Sequence, residues 1–227
     1  MNTEDFWKGE DKYGTLGKES FDGFESADNL TGRENGMSIS TKEWWAGEFG
    51  DAYTKRNRVD WQRRVPFWKK IILTTGARSA LEFGCGSGWN LSAIKRSFPD
   101  VSLAGVEINL KAIDEAIQAG VGVYDSIEKA HHYDLVFTCG VLIHTPPEDL
   151  QEIMTSIVNH SRDYVLAVEY YYPEEKEIEY RGEKGKLWAR PYGYMYQTLF
   201  PNLTLVSEGH LDKPAGFDDC QFWLYRK

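Results

Sequence analysis

From Ser79 to the C-terminus the chain alternates two kinds of apolar spacing. Short apolar stretches at Ser79–Phe83, Val101–Ile108, Val121–Tyr124, Asp134–Cys139 and Tyr164–Tyr170 are too brief for helices and predict five strands. Between them the spacing opens to three and four. Leu91, Ile94 and Phe98 predict one face of a helix over Asn90–Phe98, and Leu110, Ile113 and Ile117 mark a second that stops near Gly120. Thr145-Pro146-Pro147-Glu148 reads as a helix start, with Thr145 as cap, proline in the first turn and Glu148 placed as in a capping box. The helix it opens carries Leu150, Ile153, Met154 and Ile157 on one face. After Tyr170-Tyr171-Tyr172 and a charged loop, a helix near Tyr192–Phe200 precedes strands at about Leu203–Ser207 and Gln221–Tyr225. Strand, helix, strand, helix is the signature of parallel βαβ units. The pattern is that of an α/β fold with seven strands, the last two forming an antiparallel hairpin because a loop joins them.

Residues 1–40 follow neither period. They are polar, charged and dotted with glycine, with Phe6, Trp7, Phe21 and Phe24 scattered among them, and read as a loosely structured extension. Residues 41–75 are expected to be helical, with Pro66 suited to a first turn before Phe67 and Ile71, and residues 76–227 form the main domain. Charge narrows the partners. The 35 acidic residues outnumber 26 basic ones, for a net charge of −9, whereas binding to nucleic acid or an anionic membrane needs clustered Lys and Arg. Neither is expected as a partner. No run reaches the roughly 18 apolar residues of a membrane span, and MNTEDFWKGE has no basic start followed by an apolar stretch, so a cytoplasmic location is expected. Cys85, Cys139 and Cys220 lack metal-ligand spacing, and no metal is expected.

The most informative stretch is Leu81-Glu82-Phe83-Gly84-Cys85-Gly86-Ser87-Gly88-Trp89-Asn90, between a predicted strand and a predicted helix. Glycines there let the backbone turn sharply and approach a ligand. A nicotinamide dinucleotide loop would place its third glycine at position 89, which is Trp. The G-x-G-x-G spacing, with an acidic residue two before the first glycine, is the form this loop takes for S-adenosylmethionine (SAM). Gly84, Cys85, Gly86 and Gly88 would pack against its amino-acid and ribose parts, and Glu82 would meet the ammonium. A plain tight βα turn is the alternative. Glu107 ends the second predicted strand, followed by Ile108, at about the distance where a carboxylate accepts ribose hydroxyls. Taken alone, Glu107 is equally a solvated charge at a strand end.

With Tyr133-Asp134-Leu135-Val136-Phe137 and Val141-Leu142-Ile143-His144-Thr145, these stretches resemble the class I SAM-dependent methyltransferases over roughly residues 70–227. The resemblance implies a Rossmann-like seven-stranded, mostly parallel sheet with an antiparallel last strand, helices on both faces, and SAM as cofactor with S-adenosylhomocysteine as product. It also places Asp125 and Ser126 where a polar side chain reaches the adenine amine, although an ordinary turn aspartate fits equally. Trp45-Ala46-Gly47-Glu48-Phe49-Gly50-Asp51-Ala52-Tyr53-Thr54-Lys55-Arg56-Asn57, with Tyr180-Arg181-Gly182 and Leu187-Trp188-Ala189-Arg190, is similar to the pseudaminic-acid-biosynthesis-associated methylases. That resemblance favours a small-molecule acceptor, plausibly a sugar or nonulosonic acid, and a helical lid over residues 41–75. Tyr53, Arg56 and Asn57 share one helix face there, with Tyr53 and Arg56 over SAM and Asn57 toward the acceptor; the alternative is a surface helix anchored by Trp44 and Trp45.

Methyl transfer to a hydroxyl gains from a general base, and His144, just past the fourth strand on the ligand edge, is the candidate. A histidine bonded to a neighbouring loop is the competing reading. Glu169, Tyr170, Tyr171, Arg181 and Arg190 follow the fifth strand and are expected at the acceptor, aromatic faces for a ring and Arg for an anion. Rival functions are a methyltransferase acting on protein or RNA and a non-catalytic SAM-binding module.

Overall fold

A computed structural model describes residues 40–227. The extension expected over 1–40 lies, Ser40 apart, outside the described residues. Ser40 opens α1 (Thr41–Ala46) with a capping box: its Oγ accepts from the Glu43 N–H at 3.2 Å, and the Glu43 carboxylate accepts from the Ser40 N–H at 3.1 Å. Gly47 separates α1 from α2 (Glu48–Arg56). Gly50 lets the two helices meet, because a Cβ there would overlap the Trp45 carbonyl oxygen, and Trp44 stacks on Phe49 with ring centroids 3.5 Å apart. A 3₁₀ turn, Trp61–Arg64, leads into α3 (Val65–Thr75). Pro66 sits in its first turn as predicted, Phe67, Trp68, Ile71 and Ile72 are buried, and Gly76 ends the helix at a φ of 62°.

The expected alternation follows: β1 (Ser79–Phe83), α4 (Trp89–Ser97), β2 (Ser102–Val106), α5 (Leu110–Gln118), β3 (Gly122–Tyr124), β4 (Tyr133–Cys139), α6 (Pro147–His160) and β5 (Ser161–Glu169). A short hairpin, β6 (Lys176–Glu177) with β7 (Trp188–Ala189), and α7 (Tyr192–Leu199) precede β8 (Thr204–Leu211) and β9 (Cys220–Arg226). The seven-stranded sheet runs β3-β2-β1-β4-β5-β9-β8. All neighbours from β3 to β5 pair in parallel, and β9 is antiparallel to both β5 and β8. The final hairpin therefore forms as expected, with its second strand inserted against β5. Strand order reverses between β1 and β4. In an open α/β sheet that reversal leaves a crevice outside the carboxyl ends of the strands. Among the described residues no helix is long and apolar enough to cross a membrane.

Two local expectations are corrected. In α5 the buried residues are Ala112 and Ala116, while Leu110 is 73% and Ile117 55% exposed. Small side chains let the helix lie close to the sheet and turn the larger ones outward. Thr145 does not cap α6; its hydroxyl donates to the Val141 carbonyl at 3.4 Å and Pro146 holds the cap position. Leu150, Met154 and Ile157 are buried as the spacing predicted.

Gly50→Ala is expected to lower stability by about 1–3 kcal/mol, the usual cost of forcing atoms into a packed contact, measured as the urea midpoint. An unchanged midpoint would show that α1 and α2 do not depend on this approach.

Candidate active site

The turn from β1 into α4 is built on Gly84, Gly86 and Gly88, at φ of 70°, 51° and 76°, a region that side chains with a Cβ rarely adopt. The Gly84 and Cys85 N–H groups both donate to the Val106 carbonyl, at 2.8 and 3.0 Å, which seats the loop on the end of β2. A Cβ on Gly84 would press on Val141, whereas one on Gly86 would meet nothing within 4 Å. Gly86 thus borders open space. The Cys85 thiol is not part of that border. It is buried against Gly105, where a Cβ would overlap its sulfur, so Cys85 offers the site only its backbone.

Glu107, the residue after β2, ties the loop to the next helix. One carboxylate oxygen accepts from the Gly86 N–H at 2.8 Å and the other from Ile108 and Asn109 at 2.8 and 2.9 Å. A carboxylate has about four acceptor positions, so capacity for a further donor remains. Asn109 caps α5 through the Ala112 N–H and reaches across to Asp51 of α2 at 2.9 Å.

Glu82 lies one residue before the end of β1 and is 1% exposed. Its Oε1 accepts from Asn90 Nδ2 at 2.6 Å, and its Oε2 has no partner among the described residues. Burial pushes this carboxyl up to about 8, against the opposing pull of the Asn90 hydrogen bond. Asn90, which the sequence reading did not single out, is a hub: its Oδ1 takes N–H groups from Trp68 at 3.1 Å and Arg64 at 2.9 Å.

His144 ends the 3₁₀ turn Leu142–His144 between β4 and α6. Its Nδ1 is 2.7 Å from the Lys186 carbonyl oxygen. A carbonyl only accepts, so Nδ1 carries the proton and Nε2 the free lone pair. One nitrogen is thus bonded to a neighbouring loop, and the other keeps its lone pair. Its ring lies between Trp45 and Tyr180, with centroids 4.6 and 5.1 Å away, and burial pushes its pKa down to about 4.

Glu169 and Arg190, expected at the acceptor, are both 0% exposed and serve that turn instead. Glu169 accepts from the Val141 and Ile143 N–H groups at 3.2 and 3.4 Å. Arg190 Nη1 donates to the Leu142 and Thr145 carbonyls at 3.1 and 3.0 Å, and its Nε pairs with Glu175 at 2.6 Å. A sequence shows a charged residue at a strand end but not which way it turns. Burial raises the Glu169 carboxyl to about 7, partly countered by the N–H groups it accepts.

The other expected residues divide. The Tyr53 hydroxyl accepts from Asn57 Nδ2 at 2.8 Å, and the Arg56 guanidinium lies 5.0 Å from the Phe49 ring and 5.4 Å from the Tyr53 ring. The shared helix face is therefore real. Burial, and next the charge of Asp218, raise the Tyr170 hydroxyl. Tyr171 turns away toward Trp223, 6.2 Å between centroids. Arg181 is exposed, 5.9 Å from the Tyr180 ring, on a tight turn with φ of 54°. Asp125 is exposed and paired with Lys129 at 2.7 Å, which lowers its pKa; Ser126 lies beside it, half-buried.

The Glu82 shift gives a pH dependence with a definite sign. Its folded pKa lies above that of a carboxyl in the unfolded chain, so the native state holds a proton that the unfolded chain releases between about pH 4.5 and 8. Stability from this group falls as pH rises through that window. Urea midpoints measured across it should decline more steeply for the wild type than for Glu82→Gln; parallel curves would contradict the burial of this carboxyl.

The methyltransferase domain family matches residues 53–202. Among solved structures, the chain is similar to magnesium protoporphyrin IX methyltransferase from Synechocystis, at 12% identity and a TM-score of 0.62 over 85% of this chain and 100% of that one. It is similar to 1,6-didemethyltoxoflavin-N1-methyltransferase from Burkholderia thailandensis, at 14% and 0.62 over 89% and 99%. A sugar N-methyltransferase from Streptoalloteichus gives 14% and 0.59 over 90% and 99%. No curated protein matches the sequence significantly. The strand order, the glycine turn and a family match over more than half its length together place this chain in the methyltransferase domain family, with the class I fold.

Proposed function

We propose that the protein is a SAM-dependent methyltransferase whose acceptor is a small polar metabolite, a sugar or nonulosonic-acid derivative methylated on O or N. The observation that carries the cofactor reading is Glu82 Oε2. A fully buried carboxyl oxygen without a partner is rare, and this one lies beside the glycine turn, where an ammonium group would complete it and favour its ionised form. The open space at Gly86 and the remaining capacity of Glu107 suit a ribose. SAM supplies a methyl group on a positively charged sulfur and leaves as S-adenosylhomocysteine.

The chain's own residues then have two tasks. The first is alignment and exclusion of water, which an in-line displacement needs above all; the aromatic group of Trp44, Trp45, Phe49, Tyr53 and Tyr180 on α1, α2 and the turn after β6 suits a lid and a sugar face. The second is proton removal. His144 Nε2 would take the proton of an acceptor hydroxyl as that oxygen gained the methyl group that SAM would supply. Arg56 and Arg181 flank the same aromatic group, and neither pairs with a carboxylate among the described residues. Partial burial and the nearby Arg181 charge both lower the Arg56 pKa, a repulsion that an acceptor carboxylate or phosphate would relieve. The Burkholderia and Streptoalloteichus enzymes, by their names, also act on small molecules.

Glu107→Ala should weaken SAM binding by about 1–3 kcal/mol in calorimetry, because it leaves the ribose hydroxyls unpaired; unchanged affinity would remove the ribose assignment. Incubation with methyl-labelled SAM and a small-metabolite extract should put label into an acceptor retained on an anion exchanger. With that acceptor, His144→Gln should lose roughly 10²–10⁴-fold in turnover at unchanged SAM affinity. Since His144 is protonated only below about pH 4, turnover should show no His144-dependent limb between pH 5 and 8. Near-normal turnover of the variant would assign transfer to positioning alone.

A further inference from the structure

The indole nitrogen of Trp45 is a buried donor without a partner among the described residues. A buried Trp N–H ordinarily finds an acceptor, and one left bare costs stability. The residue is nonetheless held in place. Its ring meets those of Trp44, Phe49 and Tyr53 edge-on, with centroids 5.5, 5.2 and 5.1 Å away. Its carbonyl oxygen accepts from Asn109 Nδ2 at 3.3 Å and lies against Gly50, where a Cβ would overlap it. Packing therefore fixes an N–H that packing does not satisfy.

The fourth ring against Trp45 is the imidazole of His144, 4.6 Å away between centroids with the planes 60° apart. The Lys186 carbonyl holds the imidazole proton on Nδ1, so Nε2 can only accept. Neighbouring rings thus carry one unfilled donor and one lone pair, and they do not fill each other. Such a pair discriminates between acceptor chemistries. A hydroxyl oxygen has one proton and two lone pairs. Its proton would go to Nε2 and one lone pair would accept from the Trp45 N–H. The second would form the bond to the methyl carbon that SAM would supply, the pair of the broken bond staying with the sulfur. A neutral amine nitrogen has a single lone pair. Once that pair is given to the methyl carbon, nothing remains for Trp45, and an unpaired buried group is how a polar pocket rejects a near-isostere.

We propose that Trp45 Nε1 and His144 Nε2 grip one hydroxyl of the acceptor between them, and that this pair makes the protein an O-methyltransferase. This rests on the methyltransferase reading above and narrows it from O or N to O. Trp45 selects the atom that is methylated, and His144 takes its proton.

The test reads the product first. With carbon-13 methyl SAM and a small-metabolite extract, NMR should show the label as a methyl ether. A label on nitrogen overturns the proposal and leaves the methyltransferase reading standing; no labelled product overturns both. The acceptor so found is then compared with its analogue carrying an amino group in place of the methylated hydroxyl. Trp45→Phe should lower kcat/KM for the hydroxyl acceptor about 10- to 100-fold, the cost of an unpaired buried group expressed as a ratio, and change it less than about three-fold for the amine. SAM affinity in calorimetry should hold. The amine's own reactivity cancels, because only the change between proteins is read. Trp45 replaced by benzothienylalanine, which keeps the two-ring shape and lacks the N–H, should give the same split and guards against a packing defect in the phenylalanine variant. An equal loss for both acceptors, or no loss for either, overturns the proposal and makes the indole an apolar wall of the lid.

Discussion

One buried side-chain amide joins the parts of this molecule that have to meet. Asn90 opens the first turn of α4, reaches back to Glu82 on β1, and receives Trp68 from α3 and Arg64 from the turn before it. Without that hub the glycine turn would lose its hydrogen bonds to Trp68 of α3 and to the turn before it. Because all three bonds are directional, the amide also fixes where the buried carboxylate and the guanidinium stand. The site's electrostatics follow from this geometry: the protein keeps a carboxylate in its interior, with its pKa raised by burial and one oxygen unfilled.

A second set of buried charges does comparable work on the other side of the crevice. The turn from Val141 to Thr145 exposes backbone N–H and carbonyl groups inside the protein, where bare polar groups are costly. Glu169 takes two of the N–H groups and Arg190 takes two of the carbonyls. The turn is pinned from both polarities, and His144 is pinned with it through its Nδ1 bond to Lys186. A positioned Nε2 is the result. Two buried charged residues thus act on the orientation of a third through the turn that carries it.

Much of the fold was legible because short apolar runs and spacings of three and four report burial directly. The seven strands, the parallel core and the antiparallel final hairpin all follow from that pattern. The Gly84–Gly88 turn and Glu107 were legible too, since glycine spacing and a strand-end carboxylate are local features. What failed were inferences about direction. Leu110 and Ile117 carry the spacing of a core face, yet the alanines between them pack inward because they are smaller. Thr145 looks like a cap but bonds Val141. Glu169 and Arg190 look like strand-end and loop charges available to a ligand, and the tertiary structure buries them. Arg64 was illegible altogether: it lies 18 positions before Glu82, in no motif, and only packing brings it to Asn90.

The central claim is that the crevice between β1 and β4 holds SAM at two points, ammonium on Glu82 and ribose on Glu107. A crystal structure of the protein with S-adenosylhomocysteine tests it most directly. The account requires the α-ammonium within hydrogen-bond distance of Glu82 Oε2 and the ribose hydroxyls on the Glu107 carboxylate. Density for the ligand elsewhere, with Glu82 Oε2 still bare, would contradict it.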